Sequence, residues 1–425
     1  MRLSWRPVTA AMALALTACT SAAPHSALAS HAAPARPVVS SVGGPGCSSA
    51  AAPGRQLPAG LARLSNVPDF PFDVAVTADG RWSFVSFQPG GSGQGGLGVF
   101  ADAGSAGPRL VRRIMVPGGG GLGMTLTPDG RYLLAADGGS GAAVVSVPGA
   151  EHGSRNAVLG QLTGGTSARG GSGAIEVAVS RDGRFAFVSL EGSDQIAVFN
   201  LQRALASHFH ASGFVGDVPT RVAPVGLAVS PDGNWLYSTS EAKSYSELRN
   251  AFRSGQRSLT GAPGTLAVIS IHKAETDPAH AVVSTLVAGC SPVRVVTSAS
   301  GQTVWVTARA SDMLLGFSAS RLRGDPAHSL IARVAVGEAP VGLALVDGGQ
   351  RVVVADSNRF GQPGARSSLA VVNVPAALAH RPPLAGYLPA GGFPRQMALE
   401  PGGRVLLVTD FASQQLETVN VTNLP

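Results

Sequence analysis

The feature that most constrains this chain is a strand–turn–strand unit that recurs seven times. A short run of alternating apolar and small residues leads into an Asp-Gly type turn, and a second apolar strand follows. The clearest copies are Val177-Ala178-Val179-Ser180-Arg181-Asp182-Gly183-Arg184 and Leu227-Ala228-Val229-Ser230-Pro231-Asp232-Gly233-Asn234. With the turn glycine as marker, the copies fall at Gly80, Gly130, Gly183, Gly233, Gly301, Gly349 and Gly403, spaced by 50, 53, 50, 68, 48 and 54 residues. A repeat of about fifty residues holding several short strands has the size of one propeller blade. The Asp-Gly turn is a strong hairpin signal, because glycine takes positive φ without steric cost.

Each unit has room for four strands. In the third, Glu176–Ser180, Phe185–Ser189 and Gln195–Leu201 read as the first three. Fourth strands read at Val282–Val287, Ile331–Val336 and Leu384–Leu388. The last unit stops after its third strand, Leu416–Val421, while a spare strand-like segment, Leu61–Val67, precedes the first. That segment supplies the missing strand and removes the open edge. The expectation is an all-β, seven-bladed β-propeller of four-stranded antiparallel blades, closed by an N-terminal strand and spanning 57–425.

Composition fits this reading. Charged residues make up 13% of the 425 residues, against ~25% in an ordinary domain, while 55 glycines and 30 prolines disfavour long helices. Hydrophobic content of 44% excludes a disordered chain. The net charge of +7 comes almost entirely from scattered arginines; the only lysines are Lys243 and Lys273. Arg81, Arg131, Arg184 and Arg404 share one turn position. No basic stripe or aromatic platform appears, so no nucleic-acid partner is expected.

Residues 1–19 read as an export signal: Arg2 and Arg6 precede an apolar run from Val8 to Leu16. The run ends in Leu16-Thr17-Ala18-Cys19, which resembles the bacterial lipobox; that resemblance implies lipidation of Cys19 and a membrane contact through the lipid alone. Ordinary cleavage after Ala27-Leu28-Ala29 is the alternative. Both place the protein outside the cytoplasm, at the cell surface or secreted. Residues 20–56, rich in Ala, Ser, Pro and Gly, read as a flexible tether. Cys47 and Cys290 are left as a disulfide pair or as two free thiols, since sequence does not give their separation.

The repeat, carried by Ser230-Pro231-Asp232-Gly233, Thr127-Pro128-Asp129-Gly130 and the strands around them, resembles the YVTN-type seven-bladed propellers of bacterial secreted and surface proteins. It is similar, more loosely, to the lactonase-like propeller superfamily. This implies fold and not activity.

Columns counted from the marker glycine locate a candidate site. Four before it stand Val76, Leu126, Val179, Val229, Thr297, Leu345 and Leu399, a nearly uniform apolar column. Five before stand small residues such as Ala75, Ala178, Ala228, Ala344 and Ala398. Seven before stand Asp73, Gly123, Glu176, Gly226, Arg294, Gly342 and Gln396, a mixture that reads as not chosen for packing and places a site at the channel mouth. Two long linkers, Ala242–Gly264 and Ser357–Ser368, overhang the same face, where loops on a rigid scaffold commonly bind. At the end of the second strands stand Asp137, Asp356 and Asp410, with Glu191 and Glu241 one residue later. Carboxylates there cap turns. Alternatively, Asp73 and Glu176, with Glu241 and Asp356 on the same face, offer oxygen ligands suited to Ca2+ or Mg2+. Arg294 and Arg309 either neutralise these acids or hold an anionic ligand.

Catalytic signals are mostly negative. His152, His208, His210, His272, His280, His328 and His380 all fall in linkers between third and fourth strands, on the opposite face. No nucleophile elbow occurs. The expected protein is a monomeric binding module whose mouth takes a protein or small-molecule ligand through Asp73, Glu176, Arg294, Gln396, Glu241, Arg309 and Asp356. The alternative is a lactonase-like or other metal-assisted hydrolase using the mouth carboxylates.

Overall fold

All seven marker glycines adopt positive φ, from 68° at Gly130 to 86° at Gly349. Four of their turns share one construction. In the first four blades a Ser or Thr hydroxyl donates to the Asp two residues on, as in Thr77 to Asp79 and Ser180 to Asp182, each 2.6 Å. The same aspartate accepts the backbone N–H two residues further, as in Asp79 from Arg81 at 3.0 Å. Blade seven replaces the pair with Glu400, whose carboxylate accepts from the N–H groups of Gly402 and Arg404 at 2.5 and 2.7 Å.

The computed structural model describes residues 39–40, 47, 51–58, 63–89, 95–104, 107–118, 121–164, 173–211, 213–242, 244, 262–361 and 366–425. The signal and lipidation readings, including Cys19, lie outside them. So do most of the linker 242–264 and part of 357–368.

Seven antiparallel sheets form the blades. Blade one is Phe70–Val76, Trp82–Gln88, Gly96–Ala101 and Arg109–Ile114; blade two begins with the three-residue strand Met124–Leu126. Blade three runs Ala174–Val179, Phe185–Leu190, Gln195–Asn200 and Phe214–Pro219, within two residues of the sequence expectation for its first three strands. The last blade is closed by Arg63–Asn66, paired antiparallel with Gln415–Asn420 in the register Arg63↔Thr418 to Asn66↔Gln415.

The core is a ring of inter-blade layers. Strand alternation sends successive side chains to opposite faces, and the two columns divide accordingly. Val76 packs in the layer between blades seven and one, and Ala75 in the layer between one and two. Val179 and Ala178 repeat this across blade three, as do Leu399 and Ala398 across blade seven. Large residues face the preceding blade and small ones the following blade.

Two features were not foreseen. Among the described residues, five short helices occupy linkers between third and fourth strands: Val147–His152, Leu201–Ala206, Ile271–Thr276, Ala319–Gly324 and Val374–Leu378. Four are capped by the side chain ending the third strand: Ser146, Asn200, Ser270 and Asn373. Each buries apolar residues such as Val147 or Leu201 at the blade margin. The second is a strap within 20–56, expected to be a tether. Val39–Ser40 pairs in parallel with Val282–Cys290 on the outer edge of blade four, and Cys47 forms a disulfide with Cys290 (Cα–Cα 5.3 Å). The N–H of Ala52 donates to Val336, and Gln56 bridges to Tyr387 on blade six.

Candidate functional site

First strands begin, and second strands end, on one face of the ring, and a cavity of about 470 Å3 opens there. Its described lining comes from every blade but the second: Phe72 and Gln88, Ile175 and Glu191, Val225 and Glu241, Val293, Arg294 and Arg309, Val341, Arg359 and Phe360, and Phe393, Arg395 and Phe411. The volume lies within the range of small-molecule sites.

A hydroxyl column builds the rim. Six residues after the marker glycine, Ser86, Ser189, Thr239, Thr307 and Thr409 each reach across to the next blade. Their hydroxyls donate to the carbonyls of Leu122 (2.6 Å), Val225 (3.0 Å), Val293 (3.2 Å), Val341 (2.7 Å) and Phe72 (3.4 Å). Each also accepts the N–H of the residue seven before its own marker: Asp73, Glu176, Gly226, Arg294 and Gln396. Blades two and six carry Ala136 and Ala355 at this position, and in blade two the N–H of Gly123 bonds the Ile175 carbonyl directly at 2.9 Å.

That geometry corrects the reading of the mixed column. The residues seven before the marker do pack. A Cβ on Gly123, Gly226 or Gly342 would lie inside 3.0 Å of the next blade: the Glu176 carboxyl and Ile175 carbonyl, the Val293 carbonyl, and the Arg395 carbonyl, respectively. Glycine is required there because neighbouring backbones approach closely.

The predicted site residues fall in four places. Arg294, Glu241 and Arg309 line the cavity. Asp73 and Glu176 are not among the lining; they are buried near Arg294, 4% and 6% exposed. Asp73 joins blades one and two, accepting the N–H of Val74 at 2.8 Å and of Met124 at 2.6 Å. Burial raises its carboxyl above the usual range, against the pull of the Met124 N–H and of Arg294. Glu176 faces Arg294 at 3.4 Å, and burial, with Asp73 nearby, pushes its carboxyl up to about 8 despite that guanidinium. Arg309 donates to Glu241 at 2.8 Å and to Ser291 at 2.9 Å. Gln396 lies beside Gly342 on the rim and is not among the cavity lining.

Asp356 is elsewhere. It is fully buried beside Gly337, accepts from Ser368 at 3.2 Å, and its carboxyl is raised well above the usual range by burial. Asp137 caps its turn, accepting from Gly139 and Gly141 at 2.8 and 3.2 Å. Among the described residues, no group of three His, Cys, Asp or Glu side chains is arranged to hold a metal ion. The seven histidines of 57–425 lie in linkers between third and fourth strands, on the face away from the cavity.

Sequence reasoning missed Arg359, Arg395 and the phenylalanines. Arg395 lies over the Phe72 ring at 3.6 Å, with Phe411 and Phe393 at 5.6 and 5.8 Å; Arg359 lies 5.8 Å over Phe393. Burial pulls the Arg395 guanidinium well below its usual range, and Arg294, Arg359 and Arg309 add to this by repulsion. Burial and Arg309 likewise lower Arg359. A signal for Arg395 was present. Eight before the marker stand Phe72, Leu122, Ile175, Val225, Val293 and Val341, and only the seventh copy is charged.

No family model and no curated protein matches this sequence. Among solved structures, the chain is similar to Kuenenia stuttgartiensis hydrazine synthase, with 16% identity and a TM-score of 0.60 over 84% of this chain and 97% of that one. It is also similar to a chain in the crystal structure of the mitotic checkpoint complex, with 11% identity and a TM-score of 0.62 over 84% and 91%. At these identities the likeness shows the propeller fold alone.

Proposed function

We propose that this chain is an exported β-propeller of the YVTN type, held by a lipid on Cys19, whose mouth binds a protein or small ligand without chemistry. The observation that carries the binding reading is how the mouth acids are already engaged. Backbone N–H groups occupy both oxygens of Asp73, and Glu241 and Glu176 face Arg309 and Arg294. A hydrolase needs carboxylates free to bind a cation or move a proton at the reacting bond. What supports export is the disulfide between Cys47 and Cys290, a bond that persists in oxidising compartments.

The second reading, a lactonase-like hydrolase, draws on Glu176, which at about 8 keeps its proton near neutrality, as a general acid must. One assay separates the two. Wild-type protein and Glu176→Gln are incubated with a panel of lactones and aryl esters, with and without Ca2+ or Mg2+. The binding reading expects no turnover above background from either. Turnover abolished by Glu176→Gln would replace it with the hydrolase. For anchoring, Cys19→Ala is expected to move the protein from the membrane fraction to the medium; an unchanged distribution contradicts the lipid anchor.

A further inference from the structure

The cavity lining carries four arginines and two glutamates, so guanidinium groups are in excess. Arg309 and Arg294 each face an acid. Arg359 and Arg395 do not at ion-pair distance: among the described residues, neither guanidinium has a carboxylate that close or a side-chain hydrogen bond, and Glu191 on the cavity wall attracts both only from further away. Their charges rest against aromatic rings instead, and the Arg395 Nε is buried without a partner. Arg359 keeps much of its surface exposed, whereas Arg395 is half-buried; a cation that has lost water without a paired counter-charge is costly, and structures keep one where something else supplies the charge. Ring faces hold the guanidinium planes, which limits the rotamer entropy lost when an oxyanion meets their edges.

Beside these cations the wall is apolar, made by Phe72, Phe393, Phe411 and the valines of the first strands. An inorganic ion, the size of a few waters at ~30 Å3 each, would leave most of the 470 Å3 empty. The shape and charge therefore ask for an anionic head on an apolar body.

We propose that the mouth cavity binds a small organic oxyanion, a carboxylate or phosphate monoester on a flat apolar body, with its anionic head between Arg359 and Arg395 and its body against Phe72, Phe393 and Phe411. This rests on the mouth being the binding face and names the ligand class it takes. The fork of a guanidinium matches two oxygens of either head group.

The test is calorimetric titration with benzoate, phenyl phosphate, benzamide and inorganic phosphate. Benzoate or phenyl phosphate is expected to bind, and whichever is tighter assigns the head group. Benzamide and inorganic phosphate are expected to bind at least tenfold more weakly. Arg359→Gln and Arg395→Gln are each expected to weaken the anion at least tenfold, while Arg321→Gln on the opposite face changes nothing. Arg359 lies outside the strands, so its variant decides the matter if Arg395→Gln fails to fold. Benzamide binding as tightly as benzoate, with Arg359→Gln neutral, would overturn the anion and leave the mouth as the binding face. Binding that survives the cavity-filling Val341→Trp would place the site elsewhere and sink both. No binding by any of the four probes also overturns the ligand class, and the turnover assay then judges the mouth alone.

Discussion

A methyl group added at position 123 would meet the Glu176 carboxyl and the Ile175 carbonyl, whereas one added at Gly130 would meet nothing within 4 Å. The two glycines are therefore kept for different reasons, closeness of backbones at one and a positive φ of 68° at the other. Gly123→Ala is expected to cost ~1–3 kcal/mol through forced displacement of a packed strand, and Gly130→Ala about 1 kcal/mol through backbone strain. Thermal unfolding of both variants checks the order. The sequence distinguished only the second kind, because an Asp-Gly turn is local and a contact with the next blade is not. Charges hidden from the columns behave similarly. Asp410 and Glu417, on adjacent strands of blade seven, are both fully buried. Burial, then the neighbouring carboxylate, lifts Asp410 to about 9, and burial lifts Glu417 to about 7. Both folded values exceed the unfolded ones, so the folded state holds more protons between about pH 4 and pH 9 and stability falls as pH rises through that window. Asp410→Asn keeps a neutral donor in place and is expected to flatten the fall, with a higher Tm than wild type at pH 9. An equal pH slope in both proteins contradicts the assignment.

At the scale of elements, blades are tied by single hydroxyls. Removing one leaves a buried carbonyl and a buried N–H unpaired together: Val341 and Arg294 for Thr307, Val225 and Glu176 for Ser189. Thr307→Ala and Ser189→Ala are each expected to lose ~1–3 kcal/mol in denaturant unfolding, with Thr307→Ser restoring most of it. A loss under 0.5 kcal/mol would show that water replaces the hydroxyl. This column stood in the sequence six residues after five of the seven glycines, with Ala136 and Ala355 in the other two copies; its meaning needed the neighbouring blade. The strap shows the converse. Cys47 and Cys290 are 243 residues apart, and nothing local signals that an Ala/Pro/Gly-rich segment lies across blade four to reach blade six. Reduction or Cys47→Ser is expected to cost roughly 2–5 kcal/mol by freeing that loop in the unfolded chain, read as a lower unfolding midpoint.

For the whole molecule, the repeat made the ring legible: seven turns, four strands each, and Arg63–Asn66 closing on Gln415–Asn420. The face on which the cavity opens was also legible, since strand direction alone places first-strand starts and second-strand ends together. Which charges meet there was not. Asp73 and Asp356 have the right residue type and lie on strands, yet one joins two blades and the other is buried beside Gly337. Arg395 sits one step outside the columns and Arg359 in the linker after the second strand of blade six, and among the described residues neither guanidinium is in an ion pair. The account's central claim is that this mouth is where the protein meets its ligand, through those cations. Hydrogen–deuterium exchange with phenyl phosphate or benzoate tests it most directly. Slower exchange at 225–226, 293–294, 341–342 and 393–396, with the turns at Gly80, Gly130, Gly183 and Gly233 unchanged, is the result predicted. Protection confined to those turns, or to the short helices on the same side, would contradict it.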